Sequence, residues 1–128
     1  MASHATTSNA AAACQARQQR HERLFAANGA DTAKFTRLFR VPGMNHCSGG
    51  PALDQFHMLT PLVNWVEKGQ APDSVTAGAR GTGNAGGVNA DLPATWSATR
   101  SRPLCPYPKV ARYKGSGSIE EAASFSCQ

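Results

Sequence analysis

Seven residues rich in β-branched and aromatic side chains, Phe35-Thr36-Arg37-Leu38-Phe39-Arg40-Val41, run into Pro42-Gly43 and stop. Such a run predicts a strand, and a Pro-Gly pair ends one abruptly. A polar loop follows, Met44-Asn45-His46-Cys47-Ser48-Gly49-Gly50-Pro51. Beyond it Phe56, Leu59, Leu62, Val63 and Val66 recur at helical spacing from about Asp54 to Lys68, with Gly69 as terminator. Pro61 interrupts this pattern, and Thr60 can cap a helix in which proline takes the first position, so a short turn followed by a second helix is expected. A strand, a tight loop and an amphipathic helix in that order point to the α/β class.

The loop presents His46 at the carboxyl end of the expected strand. In open α/β sheets ligands and catalytic side chains collect at that edge, where loops vary while the sheet holds them. Imidazole suits proton transfer at neutral pH because its unperturbed pKa lies near ~6.5. Acyl-transfer chemistry needs partners as well. Ser48 sits in His46-Cys47-Ser48-Gly49-Gly50, which imitates a nucleophile elbow, but a histidine stands where that strained turn requires glycine, so Ser48 reads as a loop residue. Neither Glu22, on a helical stretch, nor Asp31, in the lead-in to the strand, is placed to orient the imidazole. His57 reads as a partly exposed helix residue, since nothing nearby would orient it.

At 128 residues the chain makes one domain at most. Aromatics are 7% of residues and the apolar material lies in a few islands between Gly, Ala, Ser and Pro tracts, so a thin core is expected. The net charge of +5 comes from arginines and lysines scattered between Arg17 and Lys114, without a block of like charge or a basic-aromatic stripe. That pattern describes a solvated basic surface and not a specific nucleic-acid site. No run approaches the ~18 apolar residues of a membrane span, so no membrane partner is expected. The first nine residues lack the cationic start and leucine-rich stretch of a signal peptide, and Ala-Ala-Ala before Cys14 lacks the rest of a lipoprotein cleavage box.

Residues 10–28 have helix-forming composition with few large apolar groups, and Asn28-Gly29 supplies a stop. Ser74 to Arg80 reads as a short strand. Gly81-Thr82-Gly83-Asn84-Ala85-Gly86 matches a dinucleotide fingerprint letter for letter, but no helix opens at its third glycine and no acidic residue stands about twenty positions on. It reads as a glycine-rich surface loop, and no cofactor is expected. Leu104-Cys105-Pro106-Tyr107-Pro108 is kept extended by its prolines, as an edge segment laid over the body. Val110 to Tyr113 is a short extended piece, Gly115-Ser116-Gly117 a turn, and Ser118 with Glu121 a capping box for a brief helix toward Phe125.

The four cysteines, Cys14, Cys47, Cys105 and Cys127, show no zinc-site spacing, so no metal is expected. A Cys105 to Cys127 bridge is the preferred pairing, because it fastens a tail with little core of its own. An even cysteine count suits an oxidising compartment, which sits awkwardly with the missing signal peptide.

Several motifs in one order, Arg37 to Gly50 with its Pro-Gly-Met-Asn-His-Cys-Ser-Gly-Gly run, Asp54-Gln55-Phe56, Leu62 to Gly69, Ala71-Pro72-Asp73 and Arg102 to Pro108, resemble the carboxyl-terminal part of the tannase and feruloyl esterase family of α/β-hydrolases. The resemblance runs from residue 22 to 128; residues 1–21 read as a divergent, helical or disordered start. It implies a serine esterase acting on aromatic or phenolic carboxylate esters, with His46 as the triad base and acid. It implies that Cys47 bridges to a cysteine beside the nucleophilic serine, and that Cys105 pairs with Cys127. The family's serine elbow, its aspartate loop and its lid have no counterpart in these residues. The expected architecture is therefore an incomplete α/β-hydrolase sheet, inactive alone, with Cys47 either a free thiol or paired with Cys14. Its expected ligand is an aromatic ester once the missing part is supplied. The family is typically secreted or periplasmic. Two alternatives accompany this reading: a subunit that completes an active site on a separate serine-bearing chain, and a binding module without catalysis.

Overall fold

The computed structural model describes residues 4–128, apart from the side chains of residues 4–11 and of Cys14. The signal-peptide reading at Met1 to Ser3 and the possible Cys14 partner of Cys47 lie outside what is described. The chain divides into two compact units, Met1–Leu38 and Phe39–Gln128.

The first unit is helical. Helix α1 spans His4–Asn28 and passes directly into a 3-10 helix, Gly29–Lys34. The expected helical stretch is present and begins six residues earlier than its composition suggested. Thr32 is fully buried, and its hydroxyl donates to the Leu24 carbonyl at 3.0 Å, fastening the 3-10 turn back onto the helix.

The second unit contains short antiparallel sheets and one helix. β1 (Gln55–Phe56), β2 (Val75–Gly78) and β3 (Ser101–Leu104) form a three-stranded sheet in that order. β4 (Ala111–Tyr113) and β5 (Phe125–Cys127) form a two-stranded one. β2 is central and alternates as the pleat demands, with Val75 and Ala77 buried and Thr76 exposed between them. Pro103 faces Thr76 on β3, an edge strand where a missing N–H is tolerated. Leu53, Ala77, Ala79 and Leu104 make the core, with Phe39, Val41, Phe56, Met58, Leu92 and Trp96 packed against it. This is the thin core that the composition predicted.

Three expectations are corrected. The strand expected over Phe35 to Val41 reduces to a single bridge between Phe39 and Pro106. Propensity favours extension there, but a strand also needs a paired backbone along its length, and among the described residues only Phe39 makes a bridge. The segment after Asp54 opens as β1, and helix α2 spans Leu59–Lys68 with Pro61 inside its first turn. The His57 ring serves this helix start: its Nε2 accepts the Thr60 N–H at 3.2 Å and lies 2.9 Å from Thr60 Oγ1. Gly69 ends the helix at φ +68°, the left-handed geometry that closes a last turn and that glycine adopts freely. The brief helix expected after Ser118 is a 3-10 turn, Ala122–Ser124, that gives way to β5. Pairing of Ala111 with Cys127 and of Tyr113 with Phe125 claims those residues for a sheet instead. The Cys105–Cys127 disulfide forms, tying β5 to the end of β3.

Candidate functional site

The histidine loop is built by backbone hydrogen bonds and then locked by side chains from later in the chain. Asn45 N–H donates to the Gly49 carbonyl at 3.1 Å and Ser48 N–H to the His46 carbonyl at 3.0 Å, curling residues 45–49 into a tight hook. Gly50 stands at φ +78° where an added Cβ would run into the Gly43 carbonyl, so the turn requires glycine twice over. Cys47 adopts φ +71° without being glycine, a conformation that persists only where its surroundings over-determine it.

Asp54 supplies the main lock. Its carboxylate accepts the Gly49 N–H at 2.7 Å and a two-pronged Arg80 guanidinium, from Nε at 2.9 Å and from Nη2 at 2.6 Å. The Asp54 side chain is wholly shielded from solvent and that of Arg80 is 16% exposed. The Arg80 guanidinium, helped by the Gly49 N–H and opposed by burial, holds the Asp54 carboxyl below its ordinary range. A second lock comes from the segment after the glycine-rich loop. Asp91 accepts the Gly50 N–H at 2.9 Å, while the buried Asn89 amide donates to the Gly50 carbonyl at 2.9 Å. Arg80 Nη1 donates to the Gly86 carbonyl, and Asn89 N–H to the Arg80 carbonyl, which ties the two locks together.

Held in this way, His46 is exposed on the hook, with its Nδ1 3.0 Å from the Cys47 sulfur. Cys47 is an exposed free thiol. Among the described residues no carboxylate pairs with His46, and no hydrogen bond joins it to the Ser48 hydroxyl. The imidazole is therefore presented to solvent with its orientation set by the loop. The Gly81 to Gly86 stretch is a turn-rich loop whose Gly86 N–H folds back onto the Asn84 side chain at 2.8 Å. Among the described residues no cluster of three or more metal-ligating side chains occurs.

Sequence reasoning brought out His46, Cys47 and the Cys105–Cys127 pair but missed Asp54, Arg80, Asn89 and Asp91 as the residues that hold the loop. Asp54 directly after the loop, with an arginine closing a short strand, was a faint signal. A separation of 26 residues hid the pairing.

The family described as tannase and feruloyl esterase matches residues 5–128. A mono(2-hydroxyethyl) terephthalate hydrolase from Piscinibacter sakaiensis is 57% identical over 107 residues, covering 84% of this chain and 16% of that protein. A probable feruloyl esterase from Arthroderma benhamiae is 38% identical over 101 residues, covering 77% of this chain and 17% of that protein. Among solved structures, an esterase from Aspergillus oryzae superposes with a TM-score of 0.65 at 25% identity, over 88% of this chain and 24% of that one. The chain thus spans about a sixth of the length of these curated relatives. It belongs to the tannase and feruloyl esterase family of ester hydrolases.

Proposed function

We propose that this chain is the histidine-bearing, carboxyl-terminal part of a serine carboxylic ester hydrolase that cleaves aromatic or phenolic esters, with the nucleophile and the triad acid supplied by polypeptide outside these residues. The observation that carries the reading is the exposed His46 on a loop clamped from within by Asp54, Arg80, Asn89 and Asp91. In the completed site His46 takes the serine proton as the oxygen attacks the ester carbon. It returns that proton to the departing alcohol, and water then releases the aromatic acid from the acyl-enzyme by the same relay. Cys47, exposed beside it, bridges to a cysteine next to the serine and fixes the two loops relative to each other.

Helix α2 supports completion by further polypeptide, because Leu59, Leu62 and Val66 on its apolar face are 63%, 54% and 78% exposed. The Cys105–Cys127 disulfide fits work in an oxidising compartment. The isolated chain is expected to turn over neither methyl ferulate nor mono(2-hydroxyethyl) terephthalate, and to resist a fluorophosphonate probe. Adding a polypeptide that carries the elbow serine should restore hydrolysis, and His46→Ala should abolish it. Turnover by the chain alone, or labelling at Ser48, would overturn the proposal.

A further inference from the structure

Between β3 and the β4-β5 pair lies a cavity of about 330 Å³ that the histidine loop's chemistry does not use. Its lining side chains are of two kinds only, apolar ones such as Val41, Leu53, Trp96 and Phe125, and the cations Arg40, Arg100, Arg102 and Lys109. Among the described residues no carboxylate or amide side chain lines it. We propose that this cavity binds an aromatic monocarboxylate, with the ring against Trp96 and Phe125 and the acid group on Arg102 and Lys109.

The charge distribution selects those two cations. Arg100 is already neutralised by Glu120 through a short ion pair and stacks over Trp96 at 4.4 Å. Arg102 has no such partner. Its guanidinium lies 4.0 Å over the Phe125 ring and donates from Nη1 to the Ser101 carbonyl at 2.8 Å, and no carboxylate lies within ion-pair distance of it among the described residues. Burial, reinforced by the neighbouring Arg100 charge and opposed by Glu120, pushes its pKa below the ordinary value. An arginine remains charged through such a shift, and Glu120 acts on it only from beyond ion-pair distance while paired with Arg100. Lys109 is exposed, and among the described residues its ammonium has no hydrogen-bond or ion-pair partner.

A carboxylate meets a guanidinium fork with two parallel charge-assisted hydrogen bonds. Inorganic phosphate matches the fork equally well but leaves the apolar lining unfilled. A neutral aromatic fills the lining but leaves the cation uncompensated. An anion carrying a ring answers both, and the volume suits one ring with a short acid arm. This is also the chemical class of acid that phenolic ester hydrolysis releases. The site stands on the cavity alone, however, so its failure would leave the esterase reading untouched.

The test is a titration of the full chain with 4-hydroxybenzoate, followed by amide and indole NMR shifts. Saturable shifts at the Trp96 indole and at Val110 and Ala111 are expected. Methyl 4-hydroxybenzoate, acetate and inorganic phosphate should each bind at least about 10-fold more weakly, as should 4-hydroxybenzoate to Arg102→Gln. Lys109→Gln changes an exposed side chain without partners and leaves the fold in place, so it decides the matter if Arg102→Gln does not fold; a several-fold loss is expected. Absence of saturable binding, phosphate binding as tight as the aromatic acid, or an affinity unchanged in Lys109→Gln would each overturn the proposal.

Discussion

Replacing Asp54 by asparagine tests whether the histidine loop is held by charge. The native carboxylate accepts three hydrogen bonds, two from Arg80 and one from the Gly49 N–H, with its side chain wholly shielded. Asparagine keeps the shape but replaces one acceptor oxygen with an NH2 group, so whichever way the amide turns a donor faces a donor. Hydrogen bonds to charged groups contribute roughly 1.5–3 kcal/mol each, and partial relaxation recovers some of what is lost, so Asp54→Asn should cost about 3 kcal/mol. For a chain of this size that is roughly 10 °C in Tm. The folded carboxyl titrates below its ordinary 3.8, so its contribution is complete above that value and fades as pH falls through the depressed folded value. The gap between wild type and variant should therefore be full at neutral pH and close in strong acid. Urea unfolding followed by tryptophan fluorescence at several pH values measures it, and amide exchange at Gly49 localises it. A loss below about 0.5 kcal/mol at neutral pH, within the range of an ordinary surface substitution, would refute the reasoning. So would a gap that stays open in strong acid.

Asp91→Asn, on an exposed carboxylate with a single Gly50 N–H bond, should cost under about 1 kcal/mol in the same assay. Gly50→Ala should be far worse than Gly83→Ala, by about 2 kcal/mol or more in urea unfolding; both positions have positive φ, but only at Gly50 does the new methyl group meet backbone. Iodoacetamide should modify Cys47 in the native protein, and Cys105 and Cys127 only after reduction, as peptide mapping by mass spectrometry will show. Changing Cys105 and Cys127 to serine together opens a ring with a sequence separation of 22 and should cost about 3 kcal/mol by the loop-closure argument.

What could be read from the sequence were features whose cause is local. Helix α2 carries its period and its glycine stop in its own letters, β2 alternates, and a tail without a core calls for a disulfide. The extension expected over Leu104 to Pro108 reaches only to the Pro106 bridge, because Tyr107 and Pro108 form a turn closed by the Lys109 N–H on the Pro106 carbonyl. What could not be read depends on distant partners. Phe35 to Val41 has strand composition, but among the described residues only Phe39 makes a β-bridge, to Pro106 67 positions away. The capping box at Ser118 is sound chemistry, yet the sheet partner of Phe125 decides how far the turn runs. The cavity cations are spread from Arg40 to Lys109 and converge only once β3 has paired with β2. At the candidate site the imidazole was legible because a histidine in a Pro-Gly-bounded loop is conspicuous. Its supports were not, because an aspartate or an asparagine in a loop looks the same whether it faces water or a distant backbone N–H.

That difference bears on how the proposed division of labour can work. A catalytic group out of place by about 1 Å can lose ~100-fold in rate, so a histidine contributed by one part of a protein to a serine on another must be oriented before the parts meet or be oriented by their meeting. Here the locks on the loop, Asp54 with Arg80 and Asn89 with Asp91, all come from residues 54–91 of the same chain as His46. The loop therefore needs no nucleophile to hold its shape, and under the proposed function a completing polypeptide would have only to supply the serine, the acid and cover for helix α2. If the locks set the geometry, Asp54→Asn should lower the turnover number of the reconstituted esterase while leaving its assembly with the serine-bearing part unchanged, because the hydrogen-bond partners of Asp54 are Gly49 and Arg80 and not residues of α2. If assembly and turnover fall together in proportion, the loop is shaped by docking instead, and the internal clamps contribute stability alone.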